Sequence, residues 1–130
     1  MKEDFYINMK LITVLNARKA LPLDLNEIDV QLKYKIMKFI KSTNSEEEFY
    51  NSEIANIISE CAERDEDGNI KQNNNGDILI KVDMKEDFCK HTNALNNTEI
   101  ATKEFSLSMD EVSQLKLSVR QMLDLDDFIE

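Results

Sequence analysis

The sequence predicts a mainly helical α+β fold: a long central helix or helical hairpin, a small antiparallel sheet, and short C-terminal helices. Three observations lead there. Two glycines and one proline are the only breakers in 130 residues. From Leu23 to Asp67 neither occurs, and apolar residues recur at helical spacing. Outside that stretch, short extended runs and capping boxes alternate with turn dipeptides. A chain of this length with 42% hydrophobic residues suits one domain over 1–130, filled mostly by Ile, Leu, Val and Met because Trp is absent.

Phe5 to Leu15 reads as a strand, with Ile7, Met9, Leu11 and Thr13 on one face and the other face turning apolar at Ile12 and Val14. Asn16 to Leu21 adds a helical turn that Pro22 stops. Next come two helical stripes: Leu25, Ile28, Leu32, Ile36, Phe39 and Ile40, then Tyr50, Ile54, Ile57, Ile58 and Cys61. Ser45 with Glu48 fits a capping box and argues for a fresh start between them. Against a break, Ile36 to Tyr50 and Ile40 to Ile54 are whole heptads apart, so the stripes keep phase. One helix is the favoured reading. At about 40 residues it would be about 60 Å long, too long for a small domain to cover, which points to a homodimer through that helix.

Asp67-Gly68 and Asn75-Gly76 are turn dipeptides, the tract Gln72–Asn75 is an exposed loop, and no internal repeat stands out along the chain. Ile78–Val82 reads as a short strand, with Ile70 as its hairpin partner. Lys85 to Leu95 reads as a helix with Phe88, Cys89 and Leu95 inward, and Ile100 to Leu107 as extended. Ser108 with Glu111 and Ser118 with Gln121 form capping boxes for two short helices. Met84, Met109 and Met122 are expected to fill the core, and Asp124–Glu130 to form a frayed, solvated tail.

The balance of 26 acidic against 16 basic residues gives a formal charge of −10, which disfavours direct contact with nucleic acid or anionic membranes. Cys61 and Cys89 suggest idle thiols in a reducing compartment, and the start Met1-Lys2-Glu3-Asp4 lacks a signal peptide's apolar run. No stretch reaches the roughly 20 apolar residues of a membrane span, so a cytoplasmic protein is expected.

The residues offer little chemistry. His91 and Cys89 stand two apart on a helix, and one His with one nearby Cys makes neither a zinc set nor a nucleophile pair. Glu63-x-Asp65-x-Asp67-Gly68-x-Ile70 is similar to the first eight positions of a calcium loop, but Asn74 stands where the bidentate Glu is required. Two glycines eight apart exclude the phosphate-loop fingerprints. We therefore expect neither enzyme activity nor a metal or cofactor. Two clusters are candidates for binding. Glu46, Glu47 and Glu48 offer a partner-binding acidic run, alongside the plainer role of complementing a helix dipole. Lys33, Lys35, Lys38 and Arg120 offer a basic ligand site at a dimer seam.

Leu32–Lys41, Glu48-Phe49-Tyr50 with Ile57–Glu60 and Asp65–Asn69, and Phe105-Ser106-Leu107 with Glu111, Leu115–Ser118 and Phe128-Ile129-Glu130 carry a resemblance. Together they resemble a family of small phage and prophage proteins of clostridia, listeria and related Gram-positive bacteria, a domain family of unknown function. The resemblance runs from about Asn8 to Glu130, with the asparagine tract as the departure. It implies a phage or prophage gene acting in the bacterial host, a long helix running into a turn, and no catalytic residue. The expected function is an antagonist that binds and blocks a host macromolecule, of the anti-defence type. Alternatives are a virion or tail assembly accessory, and a sponge that sequesters a small nucleotide signal.

Overall fold

The computed structural model describes residues 5–24 and 26–130. The Met1–Asp4 start and Leu25 of the first stripe lie outside the described residues. Among these, six α-helices and one two-stranded antiparallel sheet make up the α+β, mainly helical fold. The chain divides into two compact units, one of residues 1–47 and 99–130, the other of residues 48–98.

In the first unit, strand β1 (Tyr6–Lys10) pairs antiparallel with β2 (Glu99–Lys103), with Asn8 opposite Ala101. The expected alternation holds over β1 and ends at Lys10. From there the chain is helical: α1 covers Leu11–Ala20 and replaces the second half of the expected strand. Leu11, Val14 and Leu15 are all buried, and their i, i+3, i+4 spacing is a helical stripe that also alternates in part. Pro22 bars helical geometry at Leu21, which turns extended (φ −72°, ψ 121°).

The long stretch yields two helices, α2 (Val30–Ser42) and α3 (Asn44–Cys61), with Thr43 between them. Helix starts at Leu23 and ends at Asp67 are both corrected inward. Asp29 caps the start of α2, accepting from the Leu32 amide at 2.8 Å. Ser45 lies inside α3 and its hydroxyl donates to Glu46, so the box with Glu48 is absent. At the junction the Thr43 amide reaches the Phe39 carbonyl at 3.1 Å and the Glu47 amide reaches the Thr43 carbonyl at 3.3 Å. The side chain of Arg18 clamps this point. It donates to the Ile40 carbonyl at 2.7 Å, Thr43 Oγ1 at 2.6 Å, Asn44 Oδ1 at 2.9 Å and Glu47 Oε2 at 2.7 Å. The Ile40 carbonyl at the end of α2 is thereby shared between this cation and the Thr43 amide.

Leu32, Ile36 and Phe39 of α2 enter one core cluster with Val14, Leu107 and Phe128. This half of the stripe, on which the dimer expectation partly rested, is covered within its own unit. Helices α5 (Met109–Leu115) and α6 (Val119–Asp124) begin at the two expected capping boxes, both formed. The C-terminal tail is docked rather than frayed: Phe128 is 1% exposed, and Leu107 pairs with Ile129. Met109 and Met122 are exposed, contrary to their expected core role.

The second unit joins α3 to α4 (Lys85–Asn96) through a ring of three hairpin-like turns. The amide of Lys71 bonds the carbonyl of Glu63, Leu79 that of Lys71, and Glu63 that of Leu79. Glu63, Lys71 and Leu79 follow one another at intervals of eight, and the bond from Glu63 to Leu79 closes the cycle. Around it, Asp65 bonds Asn69, Asn73 bonds Asp77, and Lys81 bonds Cys61 in the same way. The isolated bridges Arg64–Ile70, Gln72–Ile78 and Ala62–Ile80 complete the three-fold pattern. Underneath it lies an octapeptide repeat, Asp-Glu-Asp-Gly-Asn-Ile at 65–70 and Asn-Asn-Asn-Gly-Asp-Ile at 73–78. Gly68 and Gly76 both take φ +83°, which non-glycine residues rarely adopt. In the third turn Met84 stands at the glycine position with φ −108°, and the chain runs on into α4. The expectation of no repeat is thus corrected, and Ile78–Val82 is one rung of this ring rather than half of a hairpin. No helix of the described residues is long and apolar enough to cross a membrane.

Candidate functional site

Helix α3 carries acidic residues in its first turn, Glu46 and Glu47, where they complement the helix dipole. Of the predicted acidic run, Glu47 is engaged by Arg18, Glu46 accepts from Ser45, and Glu48 is exposed. The run is therefore partly committed to the fold. The more open acidic surface lies further along the same helix.

In α3 only Cys61 is buried, while Phe49 is about half exposed and Tyr50, Ile54, Ile57 and Ile58 are partly so. Phe49, Glu53, Asn56, Ile57 and Glu60 fall at helical spacing on one side of α3. They face His91, Ala94, Leu95 and Thr98, at and just past α4, across an open groove of about 560 Å³. Phe49, Ile57, Ala94 and Leu95 supply its apolar part. Glu53 and Glu60, seven residues and roughly 10 Å apart along the axis, supply its charge. The 48–98 unit as a whole carries eleven carboxylates against five cations. The groove was not legible as a site, because its two walls are thirty residues apart; the i, i+4, i+8 spacing of Phe49, Glu53 and Ile57 was the available signal.

The predicted basic set is only partly assembled. Lys35 and Lys38 line one pocket with Lys103, a residue that no local pattern singles out. Lys33 instead donates to the Asn26 carbonyl at 3.3 Å, and Arg120 is exposed on α6 and does not line that pocket. Lys35 pairs with Glu111 at 2.8 Å. Burial pushes the Glu111 carboxyl up, but Lys35 and the Ser108 amide and hydroxyl together outweigh it and hold it below its ordinary value.

His91 is exposed in the α3–α4 groove, and Cys89 is exposed rather than inward. Burial pushes the Cys61 thiol up, with Glu60 and Asp87 adding to it, so this thiol stays protonated and unreactive at neutral pH. The Asp65 carboxylate accepts from its own turn, at the amides of Asp67 and Asn69, and Asn73 does the same in the next turn. Among the described residues no group of three or more His, Cys, Asp or Glu is placed to hold a metal. What the arrangement offers is an acidic, apolar-floored groove and a lysine-rimmed pocket. No protein-family profile, curated protein or solved structure matches the chain.

Proposed function

We propose that this chain is a non-enzymatic binding protein that blocks a macromolecule by holding a basic, amphipathic segment of it in the α3–α4 groove. The apolar floor between Glu53 and Glu60 carries the reading. A helical segment with apolar residues on one face and cations seven residues apart would bury its apolar side on Phe49, Ile57 and Leu95. Its charges would then meet the two carboxylates. A second copy of this chain is the less favoured occupant, since the acidic excess of residues 48–98 sets like charges against each other. In the phage or prophage setting that the sequence resembles, such a protein acts in the host cytoplasm as an antagonist, and its partner is a host protein.

The test uses a synthetic amphipathic helix with lysines seven residues apart and leucines between them, titrated while amide shifts are followed. Shifts gathered at Phe49, Ile57, Ala94 and Leu95 are expected. The double change Glu53→Gln, Glu60→Gln should weaken binding about tenfold, the scale of two exposed ion pairs. Shifts scattered over the surface, or unchanged affinity in the double variant, would sink the reading. Concentration-dependent dimerisation through the same residues would replace the host partner with self-association.

A further inference from the structure

Helix α2 presents an apolar stripe with a lysine at each end. Lys33, Ile36, Met37, Ile40 and Lys41 fall at i, i+3, i+4, i+7 and i+8, on one side of the helix. They wall an open groove of about 370 Å³ whose other side is Pro22, Leu23, Asn26 and Ile28. Ile28 and Ile36 are already buried. The apolar surface open to a ligand is that of Leu23, 65% exposed, and Met37, 43% exposed, with Pro22 and Ile40 partly so. The two lysines stand eight residues and roughly 12 Å apart along the axis. In a chain with 26 acidic residues, none of the described residues lining this groove is a carboxylate. Lys33 donates to the Asn26 carbonyl at 3.3 Å, a neutral group, and no carboxylate of the described residues pairs with Lys33 or Lys41.

We propose that this groove binds a linear anionic amphiphile, an unbranched alkyl chain ending in a carboxylate, taken as a monomer from solution. The alkyl chain covers Leu23, Met37 and Ile40, and the carboxylate meets the Lys41 ammonium. Lys41 rather than Lys33 receives it, because Lys33 is drawn to the Asn26 carbonyl. A cationic amphiphile of the same chain would meet two like charges. A neutral one would gain the apolar contact alone, and a short carboxylate the charge alone. The volume lies at the lower end of the roughly 300–1,000 Å³ usual for small-molecule sites, which suits one alkyl chain better than a helical segment about 10–12 Å across. The groove shares no residue with the α3–α4 groove, so either assignment stands or falls without the other.

Decanoate, titrated below its micelle-forming concentration and followed through the methyl signals of Met37 and Leu23, tests this. Saturation is expected with a Kd below about 1 mM, and about tenfold tighter than for decyltrimethylammonium, the scale of two exposed charge contacts. Lys41→Gln should weaken decanoate binding about threefold, the scale of one such contact. Lys38→Gln, an equal change of charge on the same helix outside the groove, should leave it unaltered. Met37→Glu sets a carboxylate in the middle of the stripe and should abolish saturation. All three side chains are exposed, and unchanged melting temperatures confirm that the variants fold. Absence of saturable decanoate binding overturns the proposal, as does equal affinity for the cationic amphiphile or an equal loss in the Lys38 and Lys41 variants. Binding to phosphatidylglycerol vesicles without a response to monomeric decanoate overturns it in favour of a lipid surface.

Discussion

The unit of residues 1–47 and 99–130 and the unit of residues 48–98 are stabilised by different means. In the first, apolar side chains from α1, α2, α5 and the C-terminal tail form one cluster, with Phe128 edge-on to Phe39 at 5.5 Å. In the second, the buried apolar side chains among the described residues are Cys61, Ala62 and Leu95. There the ring is held by backbone hydrogen bonds and by Asp65 and Asn73 capping their own turns. Burial of apolar surface gives large, shared stabilisation; a backbone bond at the surface contributes only about 1 kcal/mol net. The second unit should therefore open locally more readily than the first.

Removing the centre of the first core should have the largest effect. Phe128→Ala is expected to cost about 3–5 kcal/mol, seen as a lower midpoint in denaturant unfolding; a loss below about 1 kcal/mol would show that the core is not organised around this ring. A change in the ring of turns should be smaller and confined. Gly76→Ala meets no atom within 4 Å, so only the φ of +83° opposes it, at about 1–2 kcal/mol. Exchange of the Glu63, Lys71 and Leu79 amides should quicken about 5- to 30-fold, while Leu107 and Glu130 keep their protection. Equal acceleration in both units would erase the distinction. The smallest effect concerns pH. Glu111 has its carboxyl lowered in the folded state, so its stabilisation is present above the ordinary value of about 4.5 and is lost as pH falls through the lower folded value. With Glu111 and Lys35 both partly exposed, the contribution should stay below about 1 kcal/mol, and Glu111→Gln should remove that part of the acid dependence.

Local signals in the sequence located several elements well. The boxes at Ser108 and Ser118 form because the hydroxyl and the residue three later satisfy amides that belong to the same turn. Features that depend on distant residues were not legible. Arg18 interrupts the long helix from 22 to 29 residues away, and heptad phase has no access to that contact. The strand–helix switch at Leu11 was obscured because Leu11, Val14 and Leu15 satisfy helical spacing inside an alternating run. The octapeptide repeat was present in plain order, but acidic residues in one copy and asparagines in the other hid their shared role as turn caps. Of the candidate sites, two of the four basic residues reached one pocket; Lys103, beyond the reach of any local pattern, completes it.

The ring closes where it begins, with Lys81 bonded to the carbonyl of Cys61 at 2.9 Å. Residues 62–80 thus form a head on a narrow neck, departing from the end of α3 and returning just before α4. A cycle closed through Glu63, Lys71 and Leu79 has no slot for a fourth position, so lengthening it by one repeat would break the register. The neck makes a different request of the chain: two ends held side by side. A turn that meets it can take the place of the head beyond the buried Ala62, which makes 63–79 a natural place to graft a foreign loop while α3 and α4 keep their lengths.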